Sequence, residues 1–236
     1  MAFIRVNNND NVMLLDSEVF NLTLSKKGSL YFSYNGESYK YVEYTAKSEL
    51  PPLIAFSCKT KYASLISTKK IGNTYSFLIA IIGGWRVGET VDVDYYIFDA
   101  GEPTKEGTGN LILRNKDGYV TFDSDKKYLA VYSLNDYPFF NYQDWRTPFP
   151  EEIVTPTEIG KKYAAIVNKV SYLYIWSGGG GETDEYIYYD GLKISNGAIS
   201  RSLEMFDSRN YQTGGSGNFV SNSTNSQYMI VDVTGF

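Results

Sequence analysis

Hydrophobic and polar residues alternate along much of the chain with the period of two that is typical of half-buried β-strands. The clearest case is residues 91–98, in which every second residue from Val91 to Ile97 is apolar or aromatic. The same alternation predicts strands over residues 19–24, 29–34, 39–44 and 74–82. Aromatic and β-branched residues, which suit a pleated surface, are common in these segments. The pattern therefore predicts an all-β fold.

The second half of the chain continues the pattern. Strands are predicted over residues 110–115, 119–124, 127–133, 163–167, 172–176, 185–189, 191–195 and 228–234. We expect residues 163–167 and 172–176 to pair with each other across residues 168–171. Residues 200–206 are the best candidate for a helix, and we expect a short one there.

Glycine, asparagine and aspartate separate these strands into hairpins. We expect turns at Lys26-Lys27-Gly28, Lys116-Asp117-Gly118 and Asp190-Gly191, each between two antiparallel strands. Asn35-Gly36 predicts a tight two-residue hairpin, because both residues tolerate positive φ.

A segment rich in glycine, proline and charge, residues 99–109, interrupts the strands. This composition suits a linker or a long loop, because it cannot bury much apolar surface. We therefore expect two antiparallel β-sandwich or barrel-like domains. The first is an N-terminal β-domain over residues 1–103, and the second is a C-terminal β-sandwich over residues 104–236.

The composition excludes several kinds of chemistry. The 236 residues include 22 lysines and arginines against 27 aspartates and glutamates, for a net charge of −5, which argues against nucleic-acid binding. There is no histidine, so imidazole-based triads and the usual catalytic zinc centres are excluded. The single cysteine, Cys58, cannot form an internal disulfide or a thiolate metal cluster. We expect no enzymatic activity, no catalytic residues, no cofactor and no metal.

The sequence shows no sign of membrane insertion or secretion. The N-terminus has no charged leader followed by an apolar core. The longest apolar run, residues 77–82, is far shorter than the roughly 20 residues that a membrane helix needs. We expect a protein that is made in the cytoplasm and does not enter a membrane.

Residues 137–150 combine aromatic side chains with prolines, which block regular strand pairing and favour a surface loop. These aromatic side chains either turn inward and close one end of the second domain, which we favour, or contact a protein partner or the apolar face of a sugar. The candidate contact residues are Tyr137, Phe139, Phe140, Tyr142, Trp145 and Phe149.

Two further motifs are candidate sites. The glycines at 178–181 are too flexible for a phosphate cradle and favour a hairpin tip. Carboxylates at Asp92 and Asp94, or at Asp123 and Asp125, could hold calcium or act as a glycosidase pair. We favour a solvated strand face for Asp92 and Asp94, and the residues around Asp123 lack the rest of an EF-hand pattern.

Other polar or aromatic segments indicate surfaces rather than sites. We expect Tyr31, Tyr39, Tyr41 and Tyr44 to share a tyrosine-rich sheet face that packs against another element. Residues 210–227 are rich in Gly, Ser, Asn and Thr, and we expect a disordered insertion or an adaptable contact loop there.

Residues 109–124, with the sequence GNLILRNKDGYVTFDS, resemble the opening of small proteins encoded near the tail genes of lambda-like bacteriophages of enterobacteria. That opening has the form G-L-x-I-x-N-x-x-G-x-V-x-F-D-S, and Asn110 here separates the glycine from the leucine. The ending from Met229 to Phe236 also resembles the terminal strand of these proteins, so the resemblance covers about residues 107–236.

The resemblance implies a virion protein associated with the tail and assembled in the host cytoplasm. It implies no catalytic residues. It also implies tail proteins as partners, and by analogy a homo-oligomer.

Three functions follow as hypotheses. The leading one is a non-enzymatic tail-associated structural or host-adsorption protein, with other tail proteins or a host receptor as partner. The second is a carbohydrate-binding module for host surface polysaccharide. The third is a polysaccharide-cleaving enzyme with paired carboxylates. It is ranked last, because no residue pattern selects an acid and a base.

Overall fold

The computed structural model describes residues 5–7, 13–16, 20–139, 151–156, 158–179, 182–195, 198–212, 217–223 and 225–236. The strands before residue 104 are β1 (Arg5–Asn7), β2 (Met13–Asp16), β3 (Thr23–Ser33), β4 (Tyr39–Thr45), β5 (Leu53–Cys58), β6 (Tyr62–Ile71), β7 (Thr74–Ile82) and β8 (Thr90–Asp99). Those after it are β9 (Ile112–Arg114), β10 (Val120–Asp123), β11 (Ala130–Pro138), β12 (Glu152–Pro156), β13 (Tyr163–Lys169), β14 (Tyr172–Gly179), β15 (Glu182–Ser195), β16 (Ala198–Gln212), β17 (Gly217–Asn222) and β18 (Asn225–Asp232).

Two large antiparallel sheets contain most of these strands. The six-stranded sheet has the order β11-β18-β13-β5-β8-β3. The eight-stranded sheet has the order β12-β16-β15-β6-β7-β4, with β14 added on β15 and β17 added on β14. Strands β1 and β2, and strands β9 and β10, form two small separate hairpins. The predicted all-β, antiparallel and sandwich-like class is confirmed.

The main hydrophobic core lies between the two large sheets. Phe32, Phe56 and Ile97 enter it from the six-stranded sheet, and Phe77 and Leu192 enter it from the eight-stranded sheet. Each of these side chains is at most 2% exposed. Face-to-face packing of this kind is the arrangement of a β-sandwich.

The middle of the six-stranded sheet is also covered on its outer face. Phe98, Ala164 and Val231 pack there beneath Leu24 and the C-terminal Phe236. Since both faces are buried, strand β13 begins with five consecutive buried residues from Tyr163 to Val167, where a half-exposed strand would alternate.

The two sides of residue 104 share both sheets, so the predicted division into independent domains 1–103 and 104–236 is wrong. Strands β3 to β8 occupy one end of each sheet and the later strands occupy the other end. They meet where β5 pairs with β13 at Phe56–Ala165 and where β6 pairs with β15 at Leu192–Ala63. We call this meeting line the seam. The main core crosses it without interruption, because the apolar faces on both sides belong to the same two sheets.

Two predicted turns lie inside continuous strands. Gly28 is in the middle of β3 and Gly191 is in the middle of β15. A Cβ on Gly28 would lie 2.6 Å from the hydroxyl oxygen of Tyr95, and one on Gly191 would lie 2.3 Å from Cδ1 of Ile82. Both positions require glycine, because a neighbouring side chain occupies the space that a larger residue's side chain would need.

Other predicted local connections have mixed outcomes. The turn before Tyr119 is confirmed, because β9 and β10 pair across it and Gly118 has a φ of 83°. A turn also occurs at Asn35-Gly36, where the Gly36 amide donates to the Ser33 carbonyl. It does not form the expected hairpin, however, because β3 and β4 belong to different sheets.

Long-range pairing overrides three expectations in the second half. Strand β13 pairs with β18 and β5, while β14 pairs with β15 and β17, so residues 163–167 and 172–176 are not partners. Residues 200–206 belong to strand β16 rather than to a helix, because β15 and β16 pair from Glu182–Gln212 to Ser195–Ala198. The expected loop over residues 210–227 contains strand β17 and the first residues of β18.

Substituting Gly191 by alanine tests the close approach of Ile82. We expect Gly191→Ala to lower the free energy of unfolding by about 1–3 kcal/mol, the usual cost of overpacking a filled site. The matched control is Gly84→Ala, because a Cβ on Gly84 meets nothing within 4 Å. Urea unfolding of both variants measures the difference, and equal effects would refute the packing explanation.

Candidate functional site

Four aromatic side chains form a connected row on the outer face of the eight-stranded sheet. Their ring centroids lie 6.2 Å apart for Tyr39–Tyr41, 6.5 Å for Tyr39–Phe206 and 5.5 Å for Tyr189–Phe206. Tyr41 is 58% exposed. We call Tyr41, Tyr39, Phe206 and Tyr189 the aromatic row.

Strand alternation places Tyr39 and Tyr41 on this face, because Val42, which follows Tyr41, points into the core. Phe206 reaches the row through a bulge, since its neighbours Met205 and Asp207 pair with Tyr188 and Ile187 and leave it unpaired. A bulge re-aims the side chain that it carries.

The row crosses the seam. Tyr39 and Tyr41 come from β4 and the other two residues come from β15 and β16. The end of β7 is attached to β16 by a 2.9 Å hydrogen bond from the Gly83 amide to the Met205 carbonyl. A surface that depends on both halves of the chain exists only while the halves are joined.

The predicted tyrosine-rich face is divided between three places. Tyr39 and Tyr41 lie in the aromatic row. Tyr31 is on the outer face of the six-stranded sheet, where it is 55% exposed. Tyr44 points inward and donates a 2.9 Å hydrogen bond to Oδ2 of the buried Asp99. The expectation that all four share one face is wrong, because β3 and β4 belong to different sheets and because Tyr44, three residues after Tyr41, faces the opposite side of β4.

Only two of the six candidate contact residues, Tyr137 and Phe139, fall within the described structure. Tyr137 belongs to β11, and its hydroxyl donates a 2.8 Å hydrogen bond to the Val154 carbonyl. Phe139 packs against the small core of Leu173, Ile175 and Leu203. The other candidates, Phe140, Tyr142, Trp145 and Phe149, lie outside the described residues.

Arg201 holds several strands together from inside the sandwich, where it is 1% exposed. Its Nε lies 2.7 Å from Oε2 of Glu152, and its Nη2 donates to the Pro138 carbonyl at 3.1 Å. Its guanidinium carbon lies 4.6 Å from the ring centroid of Tyr137. Arg201 therefore connects β16 with the end of β11 and the start of β12.

Asp190 is the buried anion beside Arg201. Its Oδ2 lies 3.3 Å from Nη1 of Arg201 and accepts a 2.6 Å hydrogen bond from Ser226. Burial raises the pKa of Asp190 to about 6, against the lowering effect of Ser226, Tyr228 and Arg201. The Ser226 hydroxyl lies 2.6 Å from that of Ser171, so the polar group includes residues from both large sheets. We call Arg201, Asp190, Glu152, Ser171 and Ser226 the polar tie.

The polar tie is a structural group, because Arg201 and Asp190 are closed off from solvent. Sequence analysis missed it. The available signals were a charged residue at an inward position of a strand, between Ile199 and Leu203, and an aspartate on an inward position opposite. The prediction of a helix at 200–206 and of a turn at Asp190 concealed both.

The carboxylates considered as calcium ligands or as a glycosidase pair are either hydrogen-bonded within the protein or exposed. The Asp123 carboxylate accepts hydrogen bonds from the amides of Asp125, Thr108 and Gly109 at 2.9–3.0 Å, and these hold its pKa below the usual range. Asp94 accepts a 2.6 Å hydrogen bond from the Ser29 hydroxyl, and Asp92 is exposed. Among the described residues, no three Asp, Glu or Cys side chains are grouped so that they could hold a metal ion.

Three of the residues that carry the sequence resemblance, Gly109, Asp123 and Ser124, lie together in one loop, which we call the clasp. A Cβ on Gly109 would lie 2.3 Å from Oδ1 of Asp123, and the Ser124 hydroxyl accepts a hydrogen bond from the Leu111 amide. Gly109, Asp123 and Ser124 therefore depend on one another for the shape of this loop. The ending from Met229 onward begins within β18, which pairs with β11 and β13 in the six-stranded sheet.

The glycines at 178–181 connect two paired strands. Strand β14 ends at Gly179 and β15 begins at Glu182, and these two residues are partners. The predicted hairpin is confirmed by this pairing, and residues 180 and 181 lie outside the described structure.

Comparison with known proteins gives no relative. No protein family, curated protein or solved structure was found to match the chain. Within the part of the chain that the structure describes, there is no helix long and apolar enough to cross a membrane.

Removing Arg201 tests the polar tie. We expect Arg201→Met to lower the free energy of unfolding by about 3–5 kcal/mol, because Asp190 would remain as a buried charge without its cation. Adding Asp190→Asn to this variant should recover part of the loss. The control is Arg209→Met, which removes a more exposed ion pair with Asp207 and should cost about 0.5 kcal/mol or less. Similar losses in Arg201→Met and Arg209→Met would refute the role of the tie.

The raised pKa of Asp190 predicts a pH dependence of stability. Between its ordinary value of 3.8 and its folded value of about 6, the native state binds the proton more tightly than the unfolded state. The contribution of Asp190 to stability is therefore greatest below pH 4 and is lost as the pH rises through 6. We expect Asp190→Asn to gain stability relative to the wild type from pH 4 to pH 7 in urea unfolding. A difference that stays constant over this range would contradict the assignment.

Proposed function

We propose that this chain is a non-enzymatic bacteriophage virion protein, a tail-associated structural or host-adsorption component, and that it binds through the aromatic row. The observation that carries the proposal of a binding surface is the row itself, exposed at Tyr41 and fixed on strands from both halves. The phage assignment is supported by the sequence resemblance of residues 107–236. The clasp at Gly109, Asp123 and Ser124 gives the resembling residues a structural reason to occur together.

Rings on a rigid sheet are suited to binding. Tyrosine supplies a large contact area and loses little conformational entropy when it is immobilised, since it has two side-chain torsions. Its hydroxyl can form a hydrogen bond at the margin of the contact. The row is therefore suited to a host receptor or another tail protein, and repetition of the chain around a tail axis would multiply weak contacts.

Mass spectrometry of purified phage particles tests the virion assignment. We expect peptides of this chain in mature particles, in fixed ratio to other tail proteins. Absence of the chain from mature particles would refute the assignment.

Truncating Tyr41 tests the binding surface. We expect Tyr41→Ala to weaken binding of the labelled full-length protein to host cells, or to particles that lack it, by about tenfold or more, because truncation of an aromatic residue that anchors an interface typically costs about 2 kcal/mol or more. The matched control is Tyr31→Ala, because Tyr31 is 55% exposed against 58% for Tyr41 but lies on the other sheet. Equal binding by both variants would exclude the row as the contact.

Recognition of a surface polysaccharide is the second candidate function. It is favoured by the exposed ring of Tyr41, since tyrosine rings pack well on the apolar face of a sugar. Periodate treatment of host cells, which cleaves vicinal diols, separates the two candidates. Loss of binding indicates a glycan receptor, and unchanged binding indicates a protein.

A further inference from the structure

A cleft of about 590 Å³ opens at the seam. Ser57, Lys59, Asp94 and Tyr96 line it from the first half of the chain, while the loop from Glu158 to Tyr163, with Ile194, Ser195 and Val233, lines it from the second half. Its volume lies within the range of about 300–1,000 Å³ that small-ligand sites occupy.

The charges that face the cleft balance. Lys59 and Lys162 line it together with Asp94 and Glu158. Lys161 is already paired with Asp232 at 2.8 Å. A ligand with a fixed charge would meet groups of the same sign as well as the opposite sign, so charge alone gives it little affinity.

The hydrogen-bonding groups match hydroxyls. The lysine ammonium groups donate, the carboxylates accept, and the Ser57 hydroxyl can do both. A ligand rich in hydroxyls, each a donor and an acceptor, satisfies such a mixed set.

The floor of the cleft is apolar. Ile194 and Val233 line it and are 5% and 1% exposed. Tyr96 is 9% exposed and lies beside them as part of the wall. The C–H face of a sugar ring can pack on such a surface while its hydroxyls reach the polar rim.

We propose that the seam cleft binds a short neutral saccharide. This site is separate from the aromatic row and is argued from its own residues, so it does not depend on the proposed function. It would give the chain a pocket for one or a few sugar units in addition to its flat contact surface.

Saturation-transfer NMR on the full-length protein tests the site. The probes are neutral tetrasaccharides of glucose, of galactose and of N-acetylglucosamine, with a hyaluronan tetrasaccharide as the acidic comparison. We expect transfer to at least one neutral probe.

We also expect Glu158→Gln and Lys162→Met each to weaken binding of that neutral probe by about tenfold, since each removes a hydrogen bond to a charged group. Glu102→Gln and Lys69→Met, which change the same residue types outside the cleft lining, should leave binding unchanged.

The outcomes separate the two sites. Loss of saccharide binding in the cleft variants with normal binding in Tyr41→Ala supports the proposal. Binding that is lost in Tyr41→Ala and kept in the cleft variants places the sugar on the aromatic row and overturns the proposal. Transfer to the acidic probe alone, or to none of the probes, also overturns it and leaves the cell-binding test of the aromatic row unaffected.

Discussion

The hydrophobic core that crosses the seam is the constraint on which the other features depend. Phe56 and Leu192 are fully buried in the same core, although they lie on opposite sides of the chain's midpoint. The two halves are thereby fixed side by side. The aromatic row takes residues from both halves, and the cleft lies between them. Neither feature would exist if the halves were separate domains on a flexible linker.

The polar tie adds specificity to this core. A buried arginine and aspartate lose their hydration, and their mutual attraction only partly compensates for that loss. Their arrangement is demanding, because Arg201 must reach Glu152, the Pro138 carbonyl and Asp190 from one position. Alternative registers of β11, β12 or β16 would leave these groups unpaired in the core. The tie therefore acts mainly by excluding wrong arrangements, whereas the apolar side chains supply most of the stability.

The fold class was predictable from the sequence, because alternation and aromatic content are local signals. The local hairpins β9–β10 and β14–β15 were predictable as well. The pairing of strands that lie far apart in the chain was not, because no local signal specifies it. Gly28 and Gly191 show the difference. Each has the local sequence of a turn, yet each lies within a strand, where Tyr95 or Ile82 occupies the space that a side chain would need. The candidate site divides in the same way, since Tyr39 and Tyr41 stood out in the sequence, but Phe206 and Tyr189 join them only through a bulge and a distant strand.

The central claim, that both halves form one cooperative body, is tested most directly by urea unfolding of two single-tryptophan proteins. One retains Trp85 in the first half and the other retains Trp176 in the second half, with the remaining tryptophans changed to phenylalanine. Each protein is also followed by circular dichroism, which reports on the whole chain, so that any destabilisation by the substitutions is taken into account. In each protein the fluorescence and circular dichroism transitions should coincide, as expected for two-state unfolding of a single unit. Fluorescence from either tryptophan that changes at a different urea concentration from the circular dichroism would show that the halves unfold separately and would contradict the account.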